Sequence, residues 1–269
     1  MLWTVGFLAL LGTQIVAAGR SDTQLADNLK QEAVLQAAAD GAVAHVMFSM
    51  LAARDPQFQL DGVVREIRVG PTPVLVRVEN EADRINLNTA STALLRALII
   101  DVGSAPAVAD RLAIAIVDWH NQTNDTRQNA AQAPQYRAAG RSYGPPGTPF
   151  ESVGELADVL GMTPALFERL APHLTVLTDD DPDMTTHDPV VARALTDSAG
   201  VADVTEGSQR INGDAVLRII ATAVGTGNAR YVLLAVASAD FQNATPRINI
   251  LLHERVNRAA GEAVVAAGF

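Results

Sequence analysis

The first nineteen residues of the chain carry no charge, and Arg20 is the first charged side chain. A helix of that length extends roughly 28 Å, close to the hydrocarbon thickness of a bilayer. We therefore predict that residues 1–19 span a membrane. Two other interpretations stay open. A secretory signal peptide would end near Val16–Ala18 but should begin with a basic region, which this sequence lacks, and a buried core helix is the third interpretation.

The helical pattern continues beyond Arg20, because no proline occurs before Pro56. Apolar side chains recur within a stripe of roughly 120° when the sequence is projected on a helix. The stripe consists of Leu25, Leu29, Leu35, Ala39, Val43, Val46, Met47 and Met50. Glu32 falls inside the stripe and interrupts it. The pattern predicts one helix of about 50 residues, apolar all round at first and then amphipathic, which ends at Asp55-Pro56.

Strand patterns and helical patterns alternate along the rest of the chain. In residues 84–176 the apolar side chains recur mainly at the spacing of a helix, whereas before and after this stretch they alternate with polar side chains as in strands. Strands that an insertion separates should pair across it. The sequence therefore predicts an α+β fold, in which the long helix packs on an antiparallel sheet built from 63–78 and 213–253 and an all-helical subdomain is inserted. The predicted divisions are 1–19 (membrane half of the helix), 20–83 (rest of the helix and first strands), 84–200 (helical insert with helix-hairpin-helix-like pairs) and 201–269 (returning strands).

Composition excludes several functional classes. The formal net charge of −10 makes the chain a poor general binder of phosphate backbones, because such affinity comes mainly from lysine and arginine. The absence of cysteine excludes disulfides, thiol catalysis and cysteine-ligated metals. The five histidines are scattered, and neither an HExxH pair nor a GxSxG elbow occurs. We predict that the chain is not an enzyme.

Four short motifs follow one another in the region of helical periods. They are Ile85–Ser91, Phe150–Leu156, Leu160–Pro164 and Leu170–Val176. Together with Val117–Trp119 and the apolar start Leu2–Val5, they resemble the protein K family of type II secretion systems, whose members are minor pseudopilins. The resemblance covers nearly the whole chain and the order of its elements.

The resemblance implies a pilin-like fold and a structural function. The N-terminal helix would be held in the bacterial inner membrane as a single span, with the globular part in the periplasm, and would later enter a helical filament. Family members are thought to cap the pseudopilus tip together with two other minor pseudopilins, above the major pseudopilin. Residues 1–19 contain no glutamate, which the resemblance leads us to expect for a subunit with nothing above it. The basic leader of the family, with its glycine cleavage point, is missing from this sequence.

Calcium is the one cofactor that the resemblance implies, because family members with Asp-rich loops after the Asp-Trp motif bind it through hard oxygen ligands. The corresponding loop offers Asp118, Asn121 and Asp125. Where the family tends to place acidic residues before a tyrosine, this chain has the uncharged stretch 132–135, which lowers the ligand charge. A second oxygen cluster consists of Asp179, Asp181 and Asp183. The alternative for that cluster is a solvated acidic linker.

The motif Ile85–Ala90 also resembles the opening of helix-hairpin-helix modules in competence-type proteins. Those modules bind DNA through backbone N–H groups of a Gly-rich hairpin. The hairpins here would be Asp101–Ser104 and Gly161–Pro164, each with one glycine. Residues 84–176 contain seven arginines and no lysine against eight acidic residues, which is not the charge pattern of a DNA-binding domain. Because the motif resembles these modules but the charge pattern does not, a membrane-anchored helix-hairpin-helix DNA-binding protein of the competence type is kept only as the alternative function. We interpret Asn88-Thr89-Ala90 instead as helix-capping chemistry, with Asn88 or Thr89 near the N-cap of the following helix.

Overall fold

The computed structural model describes residues 2–53, 58–120, 134–199, 214–240 and 247–256. The helices are α1 (Leu2–Ala53), α2 (Thr92–Asp101), α3 (Pro106–His120), α4 (Pro164–Leu170) and α5 (Pro189–Ala199). The strands are β1 (Arg65–Val69), β2 (Thr72–Asn80), β3 (Ile85–Asn86), β4 (Leu174–Thr175), β5 (Asp214–Val224), β6 (Arg230–Asp240) and β7 (Arg247–Arg255). The chain divides into two compact units: the sheet unit (Met1–Glu79, Arg218–Ala237 and Pro246–Phe269) and the helical unit (Asn80–Leu217 and Ser238–Thr245).

Five strands form one sheet in the order β1-β2-β5-β6-β7. Strands β1 and β2 are antiparallel, with Arg65 opposite Val76, and Gly70 in the turn between them has a φ of 58° that favours glycine. Strands from before and after the long insertion are neighbours in this order, since β2 pairs with β5. The predicted α+β fold with an antiparallel sheet is confirmed.

Helix α1 is continuous over 52 residues, with no break at Arg20. It ends at Ala53, two residues before the Asp55-Pro56 pair, as the steric restriction before a proline predicts. The predicted single helix of about 50 residues is therefore confirmed. Apart from Trp3, the side chains of the predicted membrane segment 1–19 lie outside the residues that the structure describes.

The inner face of α1 packs on the sheet through small and β-branched side chains. Ala39, Ala42 and Val46 are fully buried there. They lie in one core with alternate residues of β2, namely Val74, Val76 and Val78, and with residues of β5 and β6. Each buried valine stabilises the unit by roughly 1.5–3 kcal/mol relative to exposure.

The contact between α1 and the sheet begins later than the stripe predicts. Leu25 and Leu29 are each 58% exposed, whereas Leu35 is buried. Two residues beyond Leu29, the side-chain amide of Gln31 donates to the carbonyl (3.0 Å) and the hydroxyl (2.9 Å) of Thr226 in the β5–β6 turn. Periodicity gives the direction of an apolar face but contains no information about where the opposing sheet ends.

Glu32, which interrupts the predicted stripe, has a partner on the sheet. Its carboxylate forms an ion pair with Arg255 at the end of β7. His253 of the same strand lies 3.2 Å from the carboxylate of Asp40. Both acidic residues therefore lie at the rim of the apolar contact, where α1 meets the edge strand.

The helical unit has its own apolar core. Strands β3 and β4 form a short parallel pair, with Ile85 opposite Leu174. Fully buried side chains come from α2 (Leu98), α3 (Leu112), the short helical stretch Val153–Asp158 (Leu156), α4 (Leu170) and α5 (Val191). Trp119 at the end of α3 stacks on Phe150, with ring centroids 5.9 Å apart. Aromatic stacking of this kind adds to the stabilisation that burial alone provides.

Candidate functional site

The first candidate site is the outer face of α1, which we define as Ala33, Val34, Ala37, Ala44 and Phe48. These residues point away from the sheet and all are exposed. Phe48 has 67% of its surface exposed. A continuous apolar strip on a helix is costly to leave in water, so such strips mark interaction surfaces more often than free surfaces.

The apolar character of this stretch is also visible in its composition. Within the part of the chain that the structure describes, the helical stretch Gln24–Leu51 is long and apolar enough to cross a membrane, by length and composition only. Of its most apolar 18-residue window, 44% is buried within the protein. The inner face accounts for that buried share, while the outer face leaves the rest of the apolar surface without a cover from the described part of the chain.

The motif Ile85–Ala90 forms a tight polar turn in the helical unit. The side-chain oxygen of Asn86 accepts a hydrogen bond from the Asn88 N–H at 2.8 Å. Asn88 then bonds the backbone of Phe150 in both directions: its amide donates to the carbonyl (3.1 Å) and its oxygen accepts from the N–H (2.7 Å). Asn88 therefore holds Phe150 in position against Trp119.

The N-cap of α2 lies close to Asn88 and Thr89, as predicted, but neither residue is the cap. The N-cap of α2 is Ser91, whose hydroxyl accepts from the Leu94 N–H at 3.2 Å. Asn88 is engaged by Phe150, 62 residues further along the chain, and a local pattern does not reveal a partner at that separation.

A buried carboxylate lies beside this turn. Glu81 is completely buried and accepts a hydrogen bond from the Thr175 hydroxyl at 2.7 Å. Arg84 lies 3.4 Å from its other oxygen and also donates to the Pro172 carbonyl at 2.9 Å. A buried charge is tolerated only when it is paired and hydrogen-bonded. This network therefore joins the entry of the helical unit to strand β4.

The predicted calcium ligands after α3 are only partly within the described residues. Asp118 is half-buried in the last turn of α3, next to Trp119. Asn121 and Asp125 lie outside the described residues. The calcium site at this loop therefore stays a prediction.

In the second acidic cluster, Asp179 is exposed. Asp181 and Asp183 accept hydrogen bonds from other groups of the same chain. Asp181 accepts from the Asn86 N–H (3.3 Å) and the Thr89 hydroxyl (3.2 Å), and burial raises the pKa of Asp181 to about 6. Asp183 accepts from the Thr185 N–H at 2.8 Å. Within the described ranges, no group of three or more histidine, aspartate and glutamate side chains is placed to hold a metal ion. Calcium binding here also remains a prediction.

In the hairpin between α2 and α3, backbone N–H groups donate hydrogen bonds to carbonyl groups at the end of α2. Gly103 donates to the Ile100 carbonyl at 2.8 Å and Ser104 to the Ile99 carbonyl at 3.1 Å. The carbonyl of Val102 accepts from the Arg169 guanidinium at 2.7 Å. A phosphate at this hairpin would have to compete with these bonds, which argues against the DNA-binding alternative.

Known proteins that are similar to this chain in sequence or in fold are components of type II secretion systems. Residues 74–179 match the model of a family described as type II secretion system (T2SS), protein K. A type II secretion system protein K from Klebsiella pneumoniae is 32% identical over 83 residues, which are 31% of this chain and 26% of that protein. One from Dickeya chrysanthemi is 32% identical over 87 residues, 32% of this chain and 23% of that protein. The matched segment thus spans about a quarter of the length of these relatives.

A solved structure shares the fold over most of the chain. It is a chain of the GspK-GspI-GspJ complex from the enterotoxigenic Escherichia coli type 2 secretion system, with a TM-score of 0.58 at 14% identity. The alignment covers 88% of this chain and 99% of that one. The sequence match and the four motifs lie in the same part of the molecule. At residues 74–179 the chain is therefore similar to the type II secretion system protein K family.

Proposed function

We propose that the chain is a minor pseudopilin of a type II secretion system, seated at the pseudopilus tip, where it helps to start assembly for protein export. The observation that carries this proposal is the geometry of α1, a 52-residue helix with one face on its own sheet and an apolar outer face. The fold shared with a chain of the GspK-GspI-GspJ complex supports it. In this proposal the function is structural rather than enzymatic.

The proposed partners are two other minor pseudopilins and the major pseudopilin. The outer face of α1 suits a second helix, because Ala33, Ala37 and Ala44 are small enough for close approach and Phe48 supplies a large apolar contact. Residues 1–19 would anchor the chain as a single span in the inner membrane, with both units in the periplasm.

The test is affinity capture of the full-length chain, extracted in mild detergent after co-expression with the other minor pseudopilins of its system. We expect both partners to be captured with the wild-type chain. Phe48→Asp should reduce capture by about tenfold or more, because it places a charge in a desolvated helix contact.

The matched control is Ile114→Asp on α3, since Ile114 is also apolar and 53% exposed but lies in the helical unit. Capture should stay at the wild-type level for this variant. Undiminished capture with Phe48→Asp would overturn the proposed contact. Failure of the wild-type chain to capture either partner, together with salt-sensitive retention on DNA, would favour the DNA-binding alternative.

A further inference from the structure

Helix α1 continues beyond the sheet on its N-terminal side. Gln31 donates hydrogen bonds to Thr226 of the β5–β6 turn, whereas residues 24–30 are all exposed. A run of this length reaches every side of a helix, so no described part of the chain packs against it. We call residues 24–30 the stalk.

The stalk and the residues just before it carry charges of both signs. The charged residues are Arg20, Asp22, Asp27 and Lys30. Each of these side chains is costly to place in the hydrocarbon of a bilayer. The part of α1 that a membrane can accept therefore ends before Arg20, and the stalk belongs on the aqueous side.

The uncharged segment 1–19 carries an aromatic side chain close to its far end. Trp3 is 92% exposed, so nothing within the described residues covers its indole. Because α1 is one helix from Leu2 onward, Trp3 and Arg20 are roughly 26 Å apart along the axis, at 1.5 Å per residue. The hydrocarbon layer of a bilayer is about 30 Å thick. The two residues are thus spaced to lie at opposite boundaries of one membrane.

Tryptophan suits a membrane boundary better than the phase on either side of it. Its ring gains from contact with acyl chains, while its N–H group needs an acceptor that hydrocarbon lacks. The ester and phosphate oxygens of lipids supply that acceptor. The second tryptophan of the chain, Trp119, has a different environment, because it is only 5% exposed and stacks on Phe150 inside the protein.

We propose that Trp3 is a membrane-interface anchor, which binds the lipid–water boundary of one leaflet and thereby sets the depth of α1 in the bilayer. This role rests on the membrane span proposed above for residues 1–19. With Trp3 at one boundary and Arg20 near the other, Gln31 stands roughly 17 Å beyond the hydrocarbon in an upright helix. The headgroups occupy roughly 5–8 Å of that distance. The anchor therefore holds the Gln31–Thr226 contact in water, with the stalk between it and the membrane.

The first test measures the depth of Trp3 by fluorescence quenching. The chain has two tryptophans, so Trp119→Phe leaves Trp3 as the single emitter. The full-length variant is reconstituted into phosphatidylcholine vesicles whose acyl chains carry bromine either near the headgroups or near the bilayer centre. We expect bromine near the headgroups to quench at least about twice as strongly, as for a side chain at the boundary.

The other outcomes separate the anchor from the membrane span. Equal or stronger quenching by bromine at the bilayer centre would overturn the anchor and leave the span in place. No quenching by either lipid would overturn both the anchor and the span of residues 1–19. If Trp119→Phe fails to fold, the difference in quenching between the wild type and Trp3→Phe gives the same information.

The second test asks whether Trp3 sets the depth of the helix. The chain has no cysteine, so Leu25→Cys in the stalk provides a single thiol for a membrane-impermeant maleimide. In that background Trp3→Leu removes the N–H group that must stay at the boundary, so residue 3 can enter the hydrocarbon and α1 can shift outward. The labelling rate at position 25 should rise about threefold, because small displacements of a span cost little.

The controls distinguish anchoring from a general effect on folding. Trp3→Tyr keeps a ring with a polar group and should leave the labelling rate at position 25 unchanged. A thiol introduced by Ile114→Cys on α3, where the side chain is 53% exposed, should react at the same rate with and without Trp3→Leu. An unchanged rate at position 25 in Trp3→Leu would overturn the role of Trp3 in setting the depth.

Discussion

The sheet unit and the helical unit are stabilised by different kinds of contact. In the sheet unit, the inner face of α1 meets the sheet through alanine and valine, and the Glu32–Arg255 ion pair and the Asp40–His253 contact lie at the rim. In the helical unit, polar groups lie inside: Glu81, Asn86 and Thr175 are all buried at the β3–β4 junction. The difference teaches that the sheet unit depends on shape and apolar area, whereas the helical unit also depends on the hydrogen bonds that these buried polar groups form.

The largest effect should come from the buried carboxylate of the helical unit. Glu81→Ala should destabilise the chain by about 3–5 kcal/mol, because it leaves the Thr175 hydroxyl and the Arg84 guanidinium without this partner in an apolar setting. Chemical denaturation in detergent measures the change. Glu66→Ala, at an exposed carboxylate on β1 of the sheet unit, is the control and should cost less than about 1 kcal/mol. A small effect of Glu81→Ala would mean that the two units do not differ as described.

The stability of the sheet unit should instead be sensitive to added side-chain volume between α1 and the sheet. Ala42→Leu should destabilise it by about 1–3 kcal/mol, because Ala42 is fully buried against the sheet and extra methylenes have no space. Ala44→Leu adds the same atoms on the outer face of α1 and should leave the unfolding free energy within about 0.5 kcal/mol. Denaturation curves of the two variants make the comparison. Equal destabilisation would contradict the assignment of inner and outer faces.

Calcium binding would increase the difference between the two units, because it would stabilise only the helical unit through further polar contacts. If the loop after α3 binds it, a concentration about ten times the dissociation constant should stabilise the chain by about 1.4 kcal/mol. A thermal-shift titration to millimolar calcium measures this, with Asp118→Asn as the test variant and Asp179→Asn as a probe of the second cluster. No shift in the wild type would remove the calcium prediction.

The sheet unit was the more predictable of the two, for a physical reason. Ala39, Val43 and Val46 recur at helical spacing, and Val74, Val76 and Val78 alternate as a half-buried strand requires, so local periods indicate the contact faces. The extent of the contact was less predictable: Leu25 and Leu29 continue the period beyond the end of the sheet.

The hydrogen-bond network of buried polar groups in the helical unit was not predictable from the spacing of apolar residues. Asn86 and Asp181 are 95 residues apart, and Asn88 and Phe150 are 62 apart, so neither pair has a local signature. The motif around Asn86 resembles the protein K family, but its sequence did not reveal these contacts. The stretch near Val190–Leu195, with its weak helical pattern, is the longer helix Pro189–Ala199, whose cap Asp188 is paired with a distant histidine.

The unbroken backbone of α1 has a mechanical consequence. At 1.5 Å per residue the rod is roughly 78 Å long, and from Leu2 to Ala53 it contains no joint at which it could fold. Displacing its first turn along the axis would therefore shift the last turns by a similar distance and carry the attached β-layer with them. A motor that lifts or lowers one end of this rod would move the sheet without needing to touch it.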